Sequence, residues 1–368
     1  MNSNLTRRNF LKISGILGTV LPSISSAYNR NTPEYTWTMA TAWPKGLPGA
    51  GSGALLAAQI IEILSNGRIK IKVYGAGEIC EAFEIFDTVS SGEIELGHAT
   101  GYYWSEKHPL CQLFSSTPFG LNPFEMIAWL ESGGGQLFWD ELYENFNLKP
   151  FACGNTGIQM GGWFNKEIND ISDFKSLKIR FLGIGSQILK RAGAIPIKVP
   201  VDKILALLKS GEIDAADWIA PFDDQKIGLH LAAKYYYWPG WHEPGTLGEL
   251  IINRELYLSL DDDLQEIIKQ ACLAVYLNMW TEYSANNGDA LLNLLGVHKI
   301  KLKRFNDKTL LQLSQISTQI IDEIANSDQL SGKTIKSYRD FKKKCMAWNQ
   351  IGEESYSLSR SLIYSEIS

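Results

Sequence analysis

The sequence is poor in the residue patterns that make metal centres and nucleophile–base pairs. Its five cysteines, Cys80, Cys111, Cys153, Cys272 and Cys345, are scattered, and none stands in a Cys-x-x-Cys pair. That excludes a zinc or dithiol redox centre of the usual spacing. In a chain this long such cysteines read as small buried hydrophobes, and whether any two of them pair stays open. The five histidines form neither His-x-x-x-His nor His-Glu-x-x-His, so no zinc-protease helix is present. Basic blocks are missing too, and the formal net charge of −5 argues against nucleic acid as a partner. Beyond the N-terminus no run reaches the roughly 18 apolar residues that a membrane helix needs.

What is present begins with Thr6-Arg7-Arg8-Asn9-Phe10-Leu11-Lys12, an apolar run from Ile13 to Leu21, Pro22, and the small residues Ser25-Ser26-Ala27. This order of charged, apolar and small segments is that of a cleavable export signal with a twin-arginine n-region. Residues 1–27 are therefore set apart from the fold, and the protein is expected in the periplasm. Their loss removes three cations and no acid, taking the net charge from −5 to about −8. An anionic ligand must then be caught by local positive charge, because the overall field repels it.

Strands and helices alternate along the next part of the chain. Tyr35–Thr41, Ile69–Tyr74, Ile94–Thr100, Lys149–Cys153, Met160–Phe164, Leu177–Phe181, Leu247–Asn253 and Val297–Phe305 predict strands. Ala54–Leu64, Ile127–Phe146 and Ser186–Ala192 predict helices. The segment Ser91–Gly97 recurs as Ser210–Ala216, each after an amphipathic run and each with glycine in the left-handed position that ends a helix. Such alternation predicts an α/β fold of two similar lobes with parallel sheets, whose ligands bind outside the carboxyl ends of the strands. The first lobe is expected over 28–154, with 246–295 returning to it in part, and the second over 155–245. A strand and helices over 296–368 would pack across both.

From Ser259 the pattern turns helical. Ser259-Leu-Asp-Asp262 resembles a capping box, opening a helix that continues to Leu295 and is long enough to brace two lobes. Helices follow over Thr309–Ala325 and Ile335–Leu362, the last with Phe341, Cys345, Trp348, Ile351 and Tyr356 near helical spacing. That face is read as core or subunit contact, hence a homodimer. Gly49-Ala-Gly51-Ser-Gly53 lacks the sixth-position glycine of a dinucleotide fingerprint, and no acid follows Tyr74-Gly75. A turn aiming amide hydrogens at an anion is the more economical reading.

The residues from Asn155 to Glu243 carry the chemistry. Asn155-Thr-Gly-Ile-Gln159, Leu177-Lys-Ile-Arg180, Asp217-Trp218 and Pro239-Gly-Trp-His-Glu243 gather one arginine, two amides and two carboxylates among tryptophans and glycines. A guanidinium matches a carboxylate two bonds at a time. Asp217, Glu243 and the Gln159 amide oxygen are hard donors of the kind Na⁺ or Ca²⁺ prefers. No nucleophile–base pair accompanies them, so the stretch reads as a binding site for a small organic anion and a bridging cation. Asp214 reads as structural, and Tyr235-Tyr236-Tyr237-Trp238 as core with polar tips.

Much of residues 35–360 resembles the extracytoplasmic solute receptors of TRAP (tripartite ATP-independent periplasmic) transporters, most of all those for 2-oxo monocarboxylates such as pyruvate and for lactate. The resemblance rests on Gly154-Asn-Thr-Gly-Ile-Gln-Met-Gly-Gly-Trp-Phe164, Leu177-Lys-Ile-Arg180, Pro221-Phe-Asp-Asp224 and Tyr235-Tyr-Tyr-Trp-Pro-Gly-Trp241. It implies the two-lobed periplasmic binding protein fold, with a hinge, a cleft and long C-terminal helices. It also implies that Arg180 pairs with the substrate carboxylate, that Gln159 meets substrate and cation, and that Asp217, the Trp218 carbonyl and Glu243 complete the cation site. The cation would be Na⁺, with Ca²⁺ as the alternative. Asn155 and Tyr103, of the Tyr102/Tyr103 pair, would lie nearby, with Trp218 as an apolar wall. The resemblance leads one to expect glutamate where this chain has Asp217, an arm shorter by about one carbon–carbon bond, ~1.5 Å. Closure would deliver the acid to a membrane permease. The alternative is an exported metal-dependent enzyme acting on 2-oxo acids, with His242 as the one nearby histidine.

Overall fold

Strand β1, Tyr35–Thr41, opens the fold with Trp37 and Met39 turned into the core. The computed structural model describes residues 32–367, so the export-signal expectation for 1–27 lies outside the described residues. Helix α1 (Ala50–Leu64), β2 (Ile69–Tyr74), α2 (Ile85–Ser90), β3 (Leu96–Ala99), α3 (Pro123–Ser132), α4 (Gly135–Glu144) and β4 (Leu148–Asn155) follow. Next come β5 (Gly162–Phe164), β6 (Lys178–Arg180), α5 (Gly183–Arg191), β7 (Ile195–Ile197), α6 (Val201–Ser210), β8 (Ala215–Ala216), α7 (Pro221–Ile227) and β9 (Tyr235–Trp238). The chain ends with β10 (Leu247–Asn253), α8 (Arg254–Leu258), α9 (Asp262–Gly296), β11 (Lys301–Arg304), α10 (Asp307–Ala325), α11 (Gln329–Asn349) and α12 (Glu353–Ile367).

Among the described residues the strands form two sheets, ordered β2-β1-β3-β10-β4 and β11-β9-β5-β8-β6-β7. Each sheet is mixed, not parallel as the alternation predicts. Strand β10 runs antiparallel to β3 and β4, and β5 antiparallel to β8 and β9. The reason is connectivity: the chain leaves the first sheet at the end of β4 and re-enters it as β10, so it arrives from the opposite side. These two crossings, from Asn155 to Gly162 and from Trp238 to Leu247, bring the sheets together. The repeated glycines Gly92 and Gly211 both sit at left-handed φ, 79° and 76°, one before a strand of each sheet.

Local chemistry accounts for the other departures. The segment 127–146 is two helices because Gly134 takes a left-handed φ of 83° between them. Helix α1 begins at Ala50 and not Ala54, so its glycines belong to the first turn, where a Cβ on Gly51 would have no room beside the Pro44 carbonyl. Ser259 does not cap α9. Its hydroxyl donates to the Leu256 carbonyl at 2.7 Å and closes α8, while Asp261 precedes α9 without a side-chain cap. The long last helix is likewise broken, between α11 and α12. Trp348, Ile351 and Tyr356 are exposed and Phe341 is partly buried, so most of that face is not core. All five cysteines are free thiols.

Helix α9, 35 residues and about 50 Å long, packs on α1 and β4 of the first sheet and on α7 of the second. Its buried Leu264, Ile268, Ala271, Cys272 and Val275 cover one face of the first sheet with Ala54, Ala57 and Ile61 of α1. The other face merges with the core of the second sheet. Helix α10 packs on α5, and α11 on α3 and α4, so the C-terminal helices span both units. Among the described residues no helix is long and apolar enough to cross a membrane.

Glu249, in the middle of β10, is fully buried, with its carboxyl accepting from Trp104 Nε1 and, at 2.9 Å, from the Tyr143 hydroxyl. Burial pushes its pKa up to about 7. A carboxyl raised in the folded state favours folding while protonated, and that contribution fades as pH climbs from the unfolded value near 4.5 to about 7. Glu249→Gln removes the titration. Denaturant unfolding at several pH values should show the variant gaining on wild type across that window, by on the order of 3 kcal/mol. Parallel pH profiles would refute the assignment.

Candidate functional site

The site forms where the second sheet's strand ends meet the two crossings. Strands β6 and β8 pair in parallel with Arg180 opposite Ala216. This register sets Asp217 and Trp218 just past the end of β8, beside Arg180. The contact is reciprocal: the Asp217 amide donates to the Arg180 carbonyl at 3.1 Å, and Arg180 Nη1 donates to the Asp217 carbonyl at 2.8 Å. Nη1 also lies 3.6 Å from Asp217 Oδ2, and the guanidinium stands 5.3 Å from the Trp218 ring centroid. Arg180 is 2% exposed, an unusual burial for arginine unless it serves an anion or a fixed pair.

The crossings supply the remaining groups. Gln159 comes from the first, Glu243 and Thr246 from the second. The Thr156 amide donates to the Thr246 carbonyl at 3.0 Å and the Gln159 amide to that of Glu243 at 3.3 Å. Side chains extend this ladder. Gln159 Nε2 donates to Thr156 Oγ1 at 3.0 Å and Thr246 Oγ1 at 2.9 Å. Thr156 spends its own proton on the Gly157 carbonyl at 3.1 Å, and Thr246 spends its proton on Glu243 Oε2. Each hydroxyl must then accept from Gln159, and only the NH₂ end of the amide can donate. Gln159 Oε1 is thereby left buried without a partner, as is Asp217 Oδ1.

Bare buried oxygens are costly. Asp217 also belongs to a cluster of possible ligands: atoms of Asp217, His242 and Glu243 lie within 4.8 Å of one another. His242 Nε2 is 3.0 Å from Asp217 Oδ1 but out of line for a hydrogen bond. Its ring packs against Phe181 and Trp241. Burial, and then the Asp217 charge, push the Glu243 carboxyl up to about 7. For His242, burial works downward but Asp217 and Glu243 outweigh it and the net shift is upward. Two carboxylates and an amide oxygen near one arginine suit a hard cation.

A small, largely enclosed cavity lies beside Gln159 and Trp218, lined also by Tyr102, Trp43, Ile219 and Met279 among others. Tyr102 lines it and Tyr103 does not. Tyr103 lies behind, its ring against Trp43 and Phe83, on the wall of a neighbouring groove with Phe181. Asn155 is fully buried with its amide committed, donating to the Tyr276 hydroxyl at 2.9 Å and accepting from the Gly157 amide at 2.9 Å. The sequence motifs thus bring Arg180, Gln159, Asp217, Trp218 and Glu243 together, while Asn155 and Tyr103 stand one layer back. Thr156, Thr246, Trp43 and Met279 escaped sequence reasoning. The threonines adjoin motif residues but carry no chemical signature, and Met279 lies on a helix far along the chain. Asp214 accepts from the Lys178 amide at 2.9 Å and is structural. Tyr236 and Tyr237 are buried, with their hydroxyls on Asp224 and Ile168.

Residues 39–328 match the family of bacterial extracellular solute-binding proteins, family 7. The chain is 38% identical over 359 residues to a monocarboxylate 2-oxoacid-binding periplasmic protein of Nostoc, covering 96% of this chain and 98% of that one. A TRAP periplasmic solute binding protein of Pseudoalteromonas atlantica, solved with bound sodium and pyruvate, superposes with a TM-score of 0.85 at 32% identity, over 88% of this chain and 99% of that one. A TRAP transporter solute binding protein of Bordetella bronchiseptica superposes with a TM-score of 0.89 at 29% identity, over 92% and 100%. It is a mixed-occupancy dimer with copurified calcium and picolinate in one active site and an apo site.

Thr246→Val keeps the shape of the residue but strips Gln159 of an acceptor and Glu243 of a donor. Denaturant unfolding should show a loss of about 1–3 kcal/mol, with Thr246→Ser recovering most of it. Equal stability of all three proteins would mean that the ladder does not hold the amide.

Proposed function

This chain belongs to the bacterial extracellular solute-binding proteins of family 7, and on that premise we propose how its cleft takes a small 2-oxo monocarboxylate together with a cation. It is a TRAP solute receptor and not an enzyme, as its relatives are receptors. The observation that carries the reading of the site is the pair of buried, unpartnered oxygens, Gln159 Oε1 and Asp217 Oδ1, beside Glu243 and Arg180. A cation held by these oxygens, Glu243 and the Trp218 carbonyl would neutralise the carboxylates and bridge to the ligand. Arg180 would pair with the ligand carboxylate, with Trp218 as an apolar wall, Tyr102 at the cavity face and Tyr103 and Asn155 fixing its surroundings. Sodium is our first choice of cation and calcium the alternative, since one solved relative carries sodium with pyruvate and two carry calcium, one of them with pyruvate.

The receptor would be exported through its twin-arginine signal, close its two lobes about the crossings at 155 and 245, and dock on the membrane permease. Closure dries the site and strengthens each charge contact within it. A second copy is the proposed partner for the apolar side chains around the break between α11 and α12, Trp348, Ile351, Tyr356 and Leu358, all more than 60% exposed. The dimeric Bordetella relative supports that choice.

Calorimetry on chelator-treated protein with pyruvate, 2-oxobutyrate and lactate, in Na⁺, Ca²⁺ or neither, tests the site. Binding should require one cation, and Arg180→Ala should weaken it by about 2–5 kcal/mol. The absence of heat with any acid and any cation would overturn the proposal. Light scattering tests the face: wild type should be dimeric and Trp348→Glu monomeric, whereas a monomeric wild type leaves no dimer to explain.

A further inference from the structure

Resting on the monocarboxylate reading above, we propose that Met279 sets the length of acid the cleft accepts, restricting it to pyruvate and 2-oxobutyrate. The cavity beside Gln159 and Trp218 has an apolar part walled by Trp43, Ala50, Ile219 and Met279 of α9, together with Gly248 and the hydroxyl residues Thr100, Thr156 and Thr246. A ligand whose carboxylate is on Arg180 and whose oxo group is on the cation sends its alkyl chain into this recess. Methionine ordinarily adapts to what it meets, being unbranched and flexible. Here it has no room to do so. It is 3% exposed, and its terminal methyl is wedged between two glycines. On Gly53 of α1 a Cβ would stand 2.8 Å from that methyl, and on Gly154 of β4 it would collide with it outright. Gly154 sits at φ +131°, a conformation other residues avoid, and β4 runs on directly into the crossing that carries Gln159. The two glycines admit the methionine and leave it nowhere to retreat, so a longer chain must displace a side chain already in contact behind.

Titration of pyruvate, 2-oxobutyrate, 2-oxovalerate and 2-oxohexanoate, under the cation that supports binding, tests this in wild type, Met279→Leu, Met279→Ala and Met279→Val. Wild type should bind 2-oxovalerate at least ~10-fold more weakly than pyruvate, and Met279→Leu, of similar bulk, should keep that order. Met279→Ala should level or invert it, and Met279→Val should do the same in part if the alanine variant does not fold. An unchanged order in a folded Ala or Val variant that still binds pyruvate overturns the assignment, as does wild type binding all four acids equally. Wild type binding none of them refutes the monocarboxylate reading itself, a result distinct from any change of order.

Discussion

The functional architecture depends on one hydrogen-bond chain, Thr156–Gln159–Thr246–Glu243, laid across the two crossings between the sheets. Backbone pairing alone would join these segments. The side chains add a direction: both hydroxyl protons are spent elsewhere, so the Gln159 amide must present its NH₂ to the threonines and its oxygen to the cleft. The contacts that hold the two crossings together are therefore the contacts that bare an acceptor. Such coupling keeps the site in shape, because rotating the amide would cost two buried hydrogen bonds at once.

Charge in the cleft is arranged around that acceptor. Arg180 is held from behind by the Asp217 carbonyl, which fixes the guanidinium without consuming a carboxylate. Glu243 is engaged by Thr246, and Asp217 Oδ1 accepts no in-line hydrogen bond, with His242 Nε2 3.0 Å away. The chain as a whole is acidic, so capture of an anion relies on this short-range arrangement, as the long-range field opposes it. Helix α9 adds the other half of the design. It spans both units, contributes Met279 to the cavity, and places the Tyr283 hydroxyl between Asp223 at 2.8 Å and the Pro48 carbonyl at 3.2 Å.

Much of this was legible in the residues. Strands β1, β2 and β10 have the bounds that their apolar pattern predicts, because their alternation or continuous burial is a local property. The left-handed glycines after the two amphipathic runs were legible for the same reason. Boundaries failed where a distant contact decided them. Gly134 breaks a helix that the periodicity carries through, and Ser259 serves the helix before it instead of the one after. Sheet direction was not legible either, since β10 pairs with strands about 100 and 150 residues earlier.

Sequence by itself determined the inventory: one arginine, two carboxylates and two amides among aromatic residues, without a nucleophile, in motifs that identify the family. Donor chemistry and short spacings are properties of residues and need no fold to be read. Tertiary structure alone decided which oxygens stay bare, why Tyr102 and not Tyr103 faces the cavity, and that Met279, 120 positions after Gln159, lines it. Those outcomes depend on who else has taken each hydrogen bond and each cubic ångström. Such competition is settled only when segments distant in the chain are packed against one another.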